Sequence, residues 1–176
     1  VGIADAQDAF FPKLKEVVRD THALPTDLLR TARRVIAFFV PFGAAVPRSN
    51  QSGPYASEMW ARAYIETNGL LAAIGHRLIA ALAERDYDAV TVPATHNFDE
   101  ASLMSDWSHK HVAYIAGLGT FGRHHMLITS QGCAGRLGSL VTEAPIEPTL
   151  RTAHEACLNK LDGSCGACVT RGVAQA

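Results

Sequence analysis

The chain has 176 residues, 48% of them hydrophobic, with 16 Lys+Arg against 17 Asp+Glu for a formal net charge of −1. One domain of this size buries about 70% of its unfolded surface without help from metal or disulfides. The near-balanced charge argues against nucleic acid as a partner, and no apolar run approaches the roughly 18 residues of a membrane span.

Four cysteines are far below disulfide-scaffold density. The start carries no basic–apolar–small signal pattern. A cytoplasmic setting is therefore expected, in which thiols are reduced or ligate metal.

In chain order, residues 5–20, "DAQDAFFPKLKEVVRD", predict one or two short helices, with Pro12 near a start or a break. "LPTDLLRTARR" offers Thr26 as an N-cap for another short helix. The β-branched and aromatic run "VIAFFVPF", residues 35–42, predicts a buried strand. "GAAVPRSNQSGP" reads as loop.

Ser57 can cap a long helix reaching about Arg85. Its stripe of Trp60, Tyr64, Leu71 and Leu78 is expected to pack on the sheet. "DAVTVPA", residues 88–94, is a second strand, and "THNFDEASLMSDW" a polar loop. "SHKHVAYIAG" fits a helix capped by Ser108 and ended by Gly117. "HMLITSQG" and "GSLVTEA" predict two neighbouring strands paired antiparallel. From about residue 147 the tail is loop or short helix.

Three stretches carry chemistry. "AGLGTFGRHHMLIT" contains G-x-G-x-x-G as Gly117, Gly119 and Gly122. A helix precedes it and a strand follows, the reverse of a dinucleotide fingerprint, so the glycines mark close backbone approach to another element or a cofactor. His109, His111, Arg123, His124 and His125 bracket this loop and point to an anion or polar cofactor beside it. His109 and His111 lie about 200° apart on a helix, so they cannot share one metal ion.

The tail spaces Cys157, Cys165 and Cys168 as C-x7-C-x2-C, and with Cys133 these make four candidate thiolates. That count serves a zinc ion or a [4Fe–4S] cluster; unrelated thiols are the third reading.

The blocks "DLLRTARRVIAFFVPF", "SHKHVAYIAGLGTFGRHHMLIT", "GCAGRLGSLVTE" and "CLNKLDGSCGACVTR", in that order, resemble the iron–sulfur proteins related to epoxyqueuosine reductase. The resemblance runs from about residue 24 to 171. It implies a nitroreductase-like α/β body able to hold a corrinoid, with the glycine loop in that body. It also implies that Cys157, Cys165 and Cys168 ligate a [4Fe–4S] cluster that delivers electrons.

The chain departs from the family in five ways. At most one cysteine set is expected where the reductases carry two, and no helical-repeat region for tRNA. The chain has Gly172 where a fourth ligand is expected, and "GTFGRHH" where the reductases carry a tryptophan and a lysine–asparagine pair. Asp99 and Asp106 both lie near the place of the reductases' catalytic aspartate, and neither matches its spacing without a gap.

The expectation is an α/β (α+β) fold, a nitroreductase-like layered sheet with helices and a C-terminal cysteine-rich segment. Residues 1–146 form the body and 147–176 the iron–sulfur segment. The function expected is that of an iron–sulfur oxidoreductase passing electrons to a substrate or cobalamin held near Gly117, Gly119, Gly122 and Arg123. His109 and His111, with ordinary pKa near 6.5, are the candidate proton donors, with Asp106 behind them. An electron-donor protein or a small-molecule reductant is the partner. The alternatives are a non-enzymatic corrinoid or small-ligand module with structural zinc, and a relative with no cluster at all.

Overall fold

The computed structural model describes residues 1–52, 54–93 and 97–172. The apolar run beginning at Val35 becomes β2 (Arg34–Pro41), the centre of a four-stranded sheet with β1 (Gly2–Asp5), β3 (Ala89–Thr91) and β6 (Gly135–Thr142) in the order β1-β2-β6-β3. Every pairing in it is antiparallel. β2 is apolar at successive positions because helices cover both faces of the sheet. Val35 and Ala37 join Val141 in the core with α1 (Phe10–Val17) and α5 (His109–Ile115). Ile36 and Phe38 alternate with them, and Phe38 lies close to Gly138 and Leu71 of α4 (Glu58–Ala83) on the opposite face.

The helix starts follow local chemistry. In α4 the Ser57 hydroxyl accepts the Trp60 N–H at 3.1 Å, as its sequence predicts. In α2 (Pro25–Leu28) the expected cap is displaced: Thr26 lies within the helix and Leu24 is the cap, its N–H donated to the Asp27 carboxylate at 2.8 Å. Pro25, which lacks an N–H, sets the start at the first helical position. A short helix, α3 (Ala45–Ser49), occupies part of the stretch read as loop.

The expected pairing of residues 125–132 with 138–144 is not formed. β5 (Leu127–Thr129) instead pairs with β4 (Gly119–Phe121) in a separate hairpin, and β6 pairs along the whole length of β2. Gly132, at φ 85°, turns the chain between the two sheets. β4 is only three residues long and lies between glycines, so it carries no periodic signal.

β1 is also absent from the sequence reading, again because four residues are too few. The strand expected over 88–94 is confined to Ala89–Thr91, and Ala94 lies outside the described residues. After β6, Thr149 exchanges hydrogen bonds with Ile3 of β1, which lays the tail along the sheet edge. Two short helices, α6 (Leu158–Leu161) and α7 (Ala167–Arg171), end the described chain.

Candidate functional site

The residues singled out by sequence fall into a cleft wall and a tail joined to it. Trp107 enters α5 buried at 1% exposure, stacked on His22 at 5.7 Å and on Phe11 at 6.3 Å. Its indole N–H donates to Ser139 Oγ of β6 at 2.9 Å. Ser139 Oγ also meets Nδ1 of His109, at 2.9 Å. His109 Nε2–H then donates to the Pro93 carbonyl at 3.0 Å. Both ring nitrogens of His109 are therefore engaged.

His111 is placed differently. Its Nδ1 meets Ser108 Oγ at 2.7 Å and its ring lies 5.0 Å from Phe121. Burial, with Lys110 and His22 adding charge repulsion, lowers its pKa to about 4. The expectation of an imidazolium with ordinary pKa is therefore corrected: His111 is neutral at pH 7. His22 is also held below the ordinary value, chiefly by burial. Its Nε2 accepts the Ser108 N–H at 3.0 Å, so a buried ring serves the start of α5.

Asp106 points elsewhere. Its carboxylate accepts from Thr21 at 2.6 Å and Asn97 at 3.2 Å and pairs with Arg19 at 3.3 Å. It ties the loop before α5 to the segment after α1.

Two of the cavities beside α5 share a wall. One, about 230 Å³, is lined by Trp107, His109, Met126, Leu127, Cys133 and Gly135, among others. The other, about 400 Å³, is lined by Tyr64, Phe98, Leu103, Met104 and His111. Ser105, Ser108, Lys110 and Arg136 line both.

Gly117, Gly119 and Gly122 line neither cavity, so the loop does not wall this cleft as expected. Their space is taken by protein. Gly117 has φ 78°, and a Cβ there would meet the Leu150 carbonyl oxygen at 2.8 Å. At Gly119 a side chain would collide with the Ile128 carbonyl across the hairpin. Backbone approaches Gly117 and Gly119, and the His124 and Ile128 side chains approach Gly122.

The tail meets the glycine loop at Cys157. This sulfur is buried and accepts the Arg123 N–H at 3.5 Å. That bond, with the Lys160 and Asn159 amides, holds the thiol below its usual pKa against the opposing pull of burial and Glu155. Next to Arg123, His124 Nδ1 accepts the Met126 N–H at 3.0 Å, which leaves Nε2 facing Cys133 Sγ at 3.9 Å. One peptide unit thus separates the contact to Cys157 from the residue beside Cys133.

Cys165 and Cys168 are half-buried at the tip of the tail. Among the described residues no three His, Cys, Asp or Glu side chains are gathered closely enough to hold a metal ion. The donor set fits a thiolate site in kind: Cys157 is held toward the thiolate form, and the amides around it supply the hydrogen bonds that a ligating sulfur needs. The four sulfurs are not assembled.

Sequence reasoning missed Arg136, Tyr64 and Lys110 as cleft residues. The available signal was Arg136 itself, a cation at the head of the otherwise uncharged strand "GRLGSLVT".

No protein-family model matches the chain, and no curated protein does. The matches are to solved structures, which share the fold: fifteen chains match. Epoxyqueuosine reductase from Streptococcus thermophilus aligns over 96% of this chain and 48% of its own, at TM-score 0.60 and 18% identity. The Bacillus subtilis enzyme, solved with its catalytic aspartate loop swung out of the active site, gives TM-score 0.62 and 18% identity over 96% of this chain and 46% of its own. An epoxyqueuosine reductase with a modified tRNA-Tyr stem loop gives 0.63 at 19% identity over the same shares. The fold is that of an epoxyqueuosine reductase body, and this chain spans about half the length of those proteins. No helix is long and apolar enough to cross a membrane among the described residues.

Proposed function

We propose that this chain is an iron–sulfur oxidoreductase whose α5–β6 cleft holds the substrate and whose C-terminal segment carries a [4Fe–4S] cluster. Cys157, Cys165 and Cys168 are its ligands, and Cys133 is the further candidate. The observation that carries the reading is the Cys157 thiol, held toward the thiolate by the backbone of the glycine loop, one residue from the His124–Cys133 contact on the cleft wall.

When bound, the cluster supplies single electrons. The chain's own residues do the rest. His109, fixed between Ser139 and Pro93, holds the wall rigid. Lys110 lines both cavities and is the candidate proton donor to a reduced product. The electrons come from a donor protein or a small-molecule reductant that meets the tail.

The test is iron and acid-labile sulfide per chain after anaerobic reconstitution, read with the visible spectrum, in which a corrinoid would show its own bands. Wild type is expected to bind iron and sulfide and to show a band near roughly 400 nm that bleaches with dithionite. Cys157→Ser and Cys168→Ser are expected to lose it. Equal iron in wild type and Cys168→Ser overturns the cluster. Zinc without a visible band supports instead the structural-metal reading.

A further inference from the structure

Arg136 and Lys110 line both of the cavities that share a wall beside α5, and no Asp or Glu lines either of them among the described residues. Among the described residues neither cation is in an ion pair. The pairs found are Arg19–Asp106, Arg34–Asp5, Arg62–Glu66 and Arg151–Asp8.

Arg136 is also held in place. Its Nε donates to Asn68 at 3.1 Å, and its guanidinium lies 4.1 Å from the Tyr64 ring centroid. The ring contact and the Nε bond place the guanidinium on the cleft wall and leave its terminal Nη groups available. Lys110 makes one bond, to the His125 carbonyl at 3.3 Å. Two cations facing a common space without a counter-charge repel each other, and an anion between them relieves that repulsion.

Apolar and aromatic groups line much of the remaining wall, Tyr64, Phe98, Leu103 and Met104 on one side and Trp107, Met126 and Leu127 on the other, with His111, His109 and Cys133 among them. The Ser105 and Ser108 hydroxyls stand beside the cations. Polar groups converging beside an apolar wall fix one orientation of a ligand.

We infer that the cleft takes a small ring compound bearing one anionic group, carboxylate or phosphate, with the anion between Arg136 and Lys110 and the ring against Phe98, Leu103 and Met104. This names the ligand class of the cleft assigned above and rests on that assignment.

The probes are phenyl phosphate, benzoate, phenol and inorganic phosphate, titrated calorimetrically into protein purified without reconstitution. Phenyl phosphate or benzoate is expected to bind at least about tenfold more tightly than phenol and inorganic phosphate, since a bidentate charged contact is lost with phenol and the ring contact with phosphate. Whichever of the two binds more tightly identifies the anion. Arg136→Gln and Lys110→Gln are each expected to weaken that probe about tenfold and to leave phenol unchanged. Lys110→Gln decides the matter if Arg136→Gln fails to fold, because Lys110 anchors only one carbonyl.

Equal affinity for phenol and phenyl phosphate, or a Lys110→Gln protein that binds phenyl phosphate and benzoate like wild type, overturns the inference. Binding that persists in a protein unable to take up iron upholds it while overturning the cluster. Iron uptake with no anionic ring compound bound does the reverse.

Discussion

The sheet is covered by a helix on each side, and the two helices are built on opposite terms. α5 has seven residues, and Val112, Ala113 and Ile115 are all buried to 2% exposure or less. α4 has 26 residues, and only Leu71 and Gly75 are buried. The short helix rests on β1, β2 and β6 together, with α1 closing over it; the long one crosses the sheet near β3 and β6, and its ends run past the sheet. Burial follows the area of sheet under a helix, not the length of the apolar stripe. Titratable groups divide the same way: His22 and His111 are on the α5 side, each held toward the neutral form.

The largest expected effect lies under α5. Trp107→Ala removes a fully buried ring and leaves Ser139 without its indole donor. A loss of about 3–5 kcal/mol is expected from the cavity alone, measured by urea unfolding with an unchanged m-value. A loss below about 1 kcal/mol would mean that the α5 face is no more committed than the α4 face.

On α4 the comparison can be graded along one helix. Leu71→Ala should cost about 2–3 kcal/mol, in the lower part of the range for buried leucines. Leu78 is half-buried, and Leu78→Ala should cost about 1 kcal/mol. Equal losses at the two positions would show that α4 buries its whole stripe in solution, against the contact pattern seen here.

The third prediction uses pH. An imidazole in the unfolded chain protonates near 6.5, whereas His111 in the fold protonates at about 4. Between those values the unfolded state binds more protons, so the stability held by neutral His111 is complete above about pH 6.5 and is lost as pH falls toward 4. The full shift, discounted for partial exposure, corresponds to about 1–2 kcal/mol. Wild type should lose that much more than His111→Gln between pH 7 and 4.5, read as the difference between their urea midpoints. Parallel curves would place His111 in water.

Much of this architecture was legible. The run from Val35 to Val40 read as a strand because both faces are covered, and Ser57 read as a cap because a hydroxyl one residue before Glu58 has a backbone N–H to accept. The cysteine block and the likeness to reductases led to the right fold. What escaped was decided by tertiary pairing. β1 and β4 are too short to show a period, and β6 chose β2 rather than β5, a choice that depends on where Gly132 turns the chain.

The candidate site was less legible. His109 and His111 line the cleft, but what their rings meet depends on Ser139, Pro93 and burial, none of which is local in sequence. Tyr64 looked like core because it falls on the α4 stripe. It is 40% exposed, and it meets Arg136, which comes from the far end of the chain.

The smallest effect is expected where the long helix turns away from the sheet. Ile65 is 70% exposed, with Met59 and Leu70 also near half exposure. If α4 owes its stability to Leu71, Gly75 and its cap, then Ile65→Lys removes almost no contact. A surface exchange of this kind changes stability by about 0.5 kcal/mol or less. Ile65→Lys also replaces a β-branched residue with a better helix former, so the sign should be neutral to slightly favourable. The measurement is urea unfolding at two protein concentrations tenfold apart. A loss above about 1 kcal/mol that is independent of concentration would put Ile65 in a contact within the chain and erase the asymmetry between the two helices. A loss that grows with concentration would show that the exposed face of α4 is covered by a second copy, so that the helix buries between molecules what it leaves open within one.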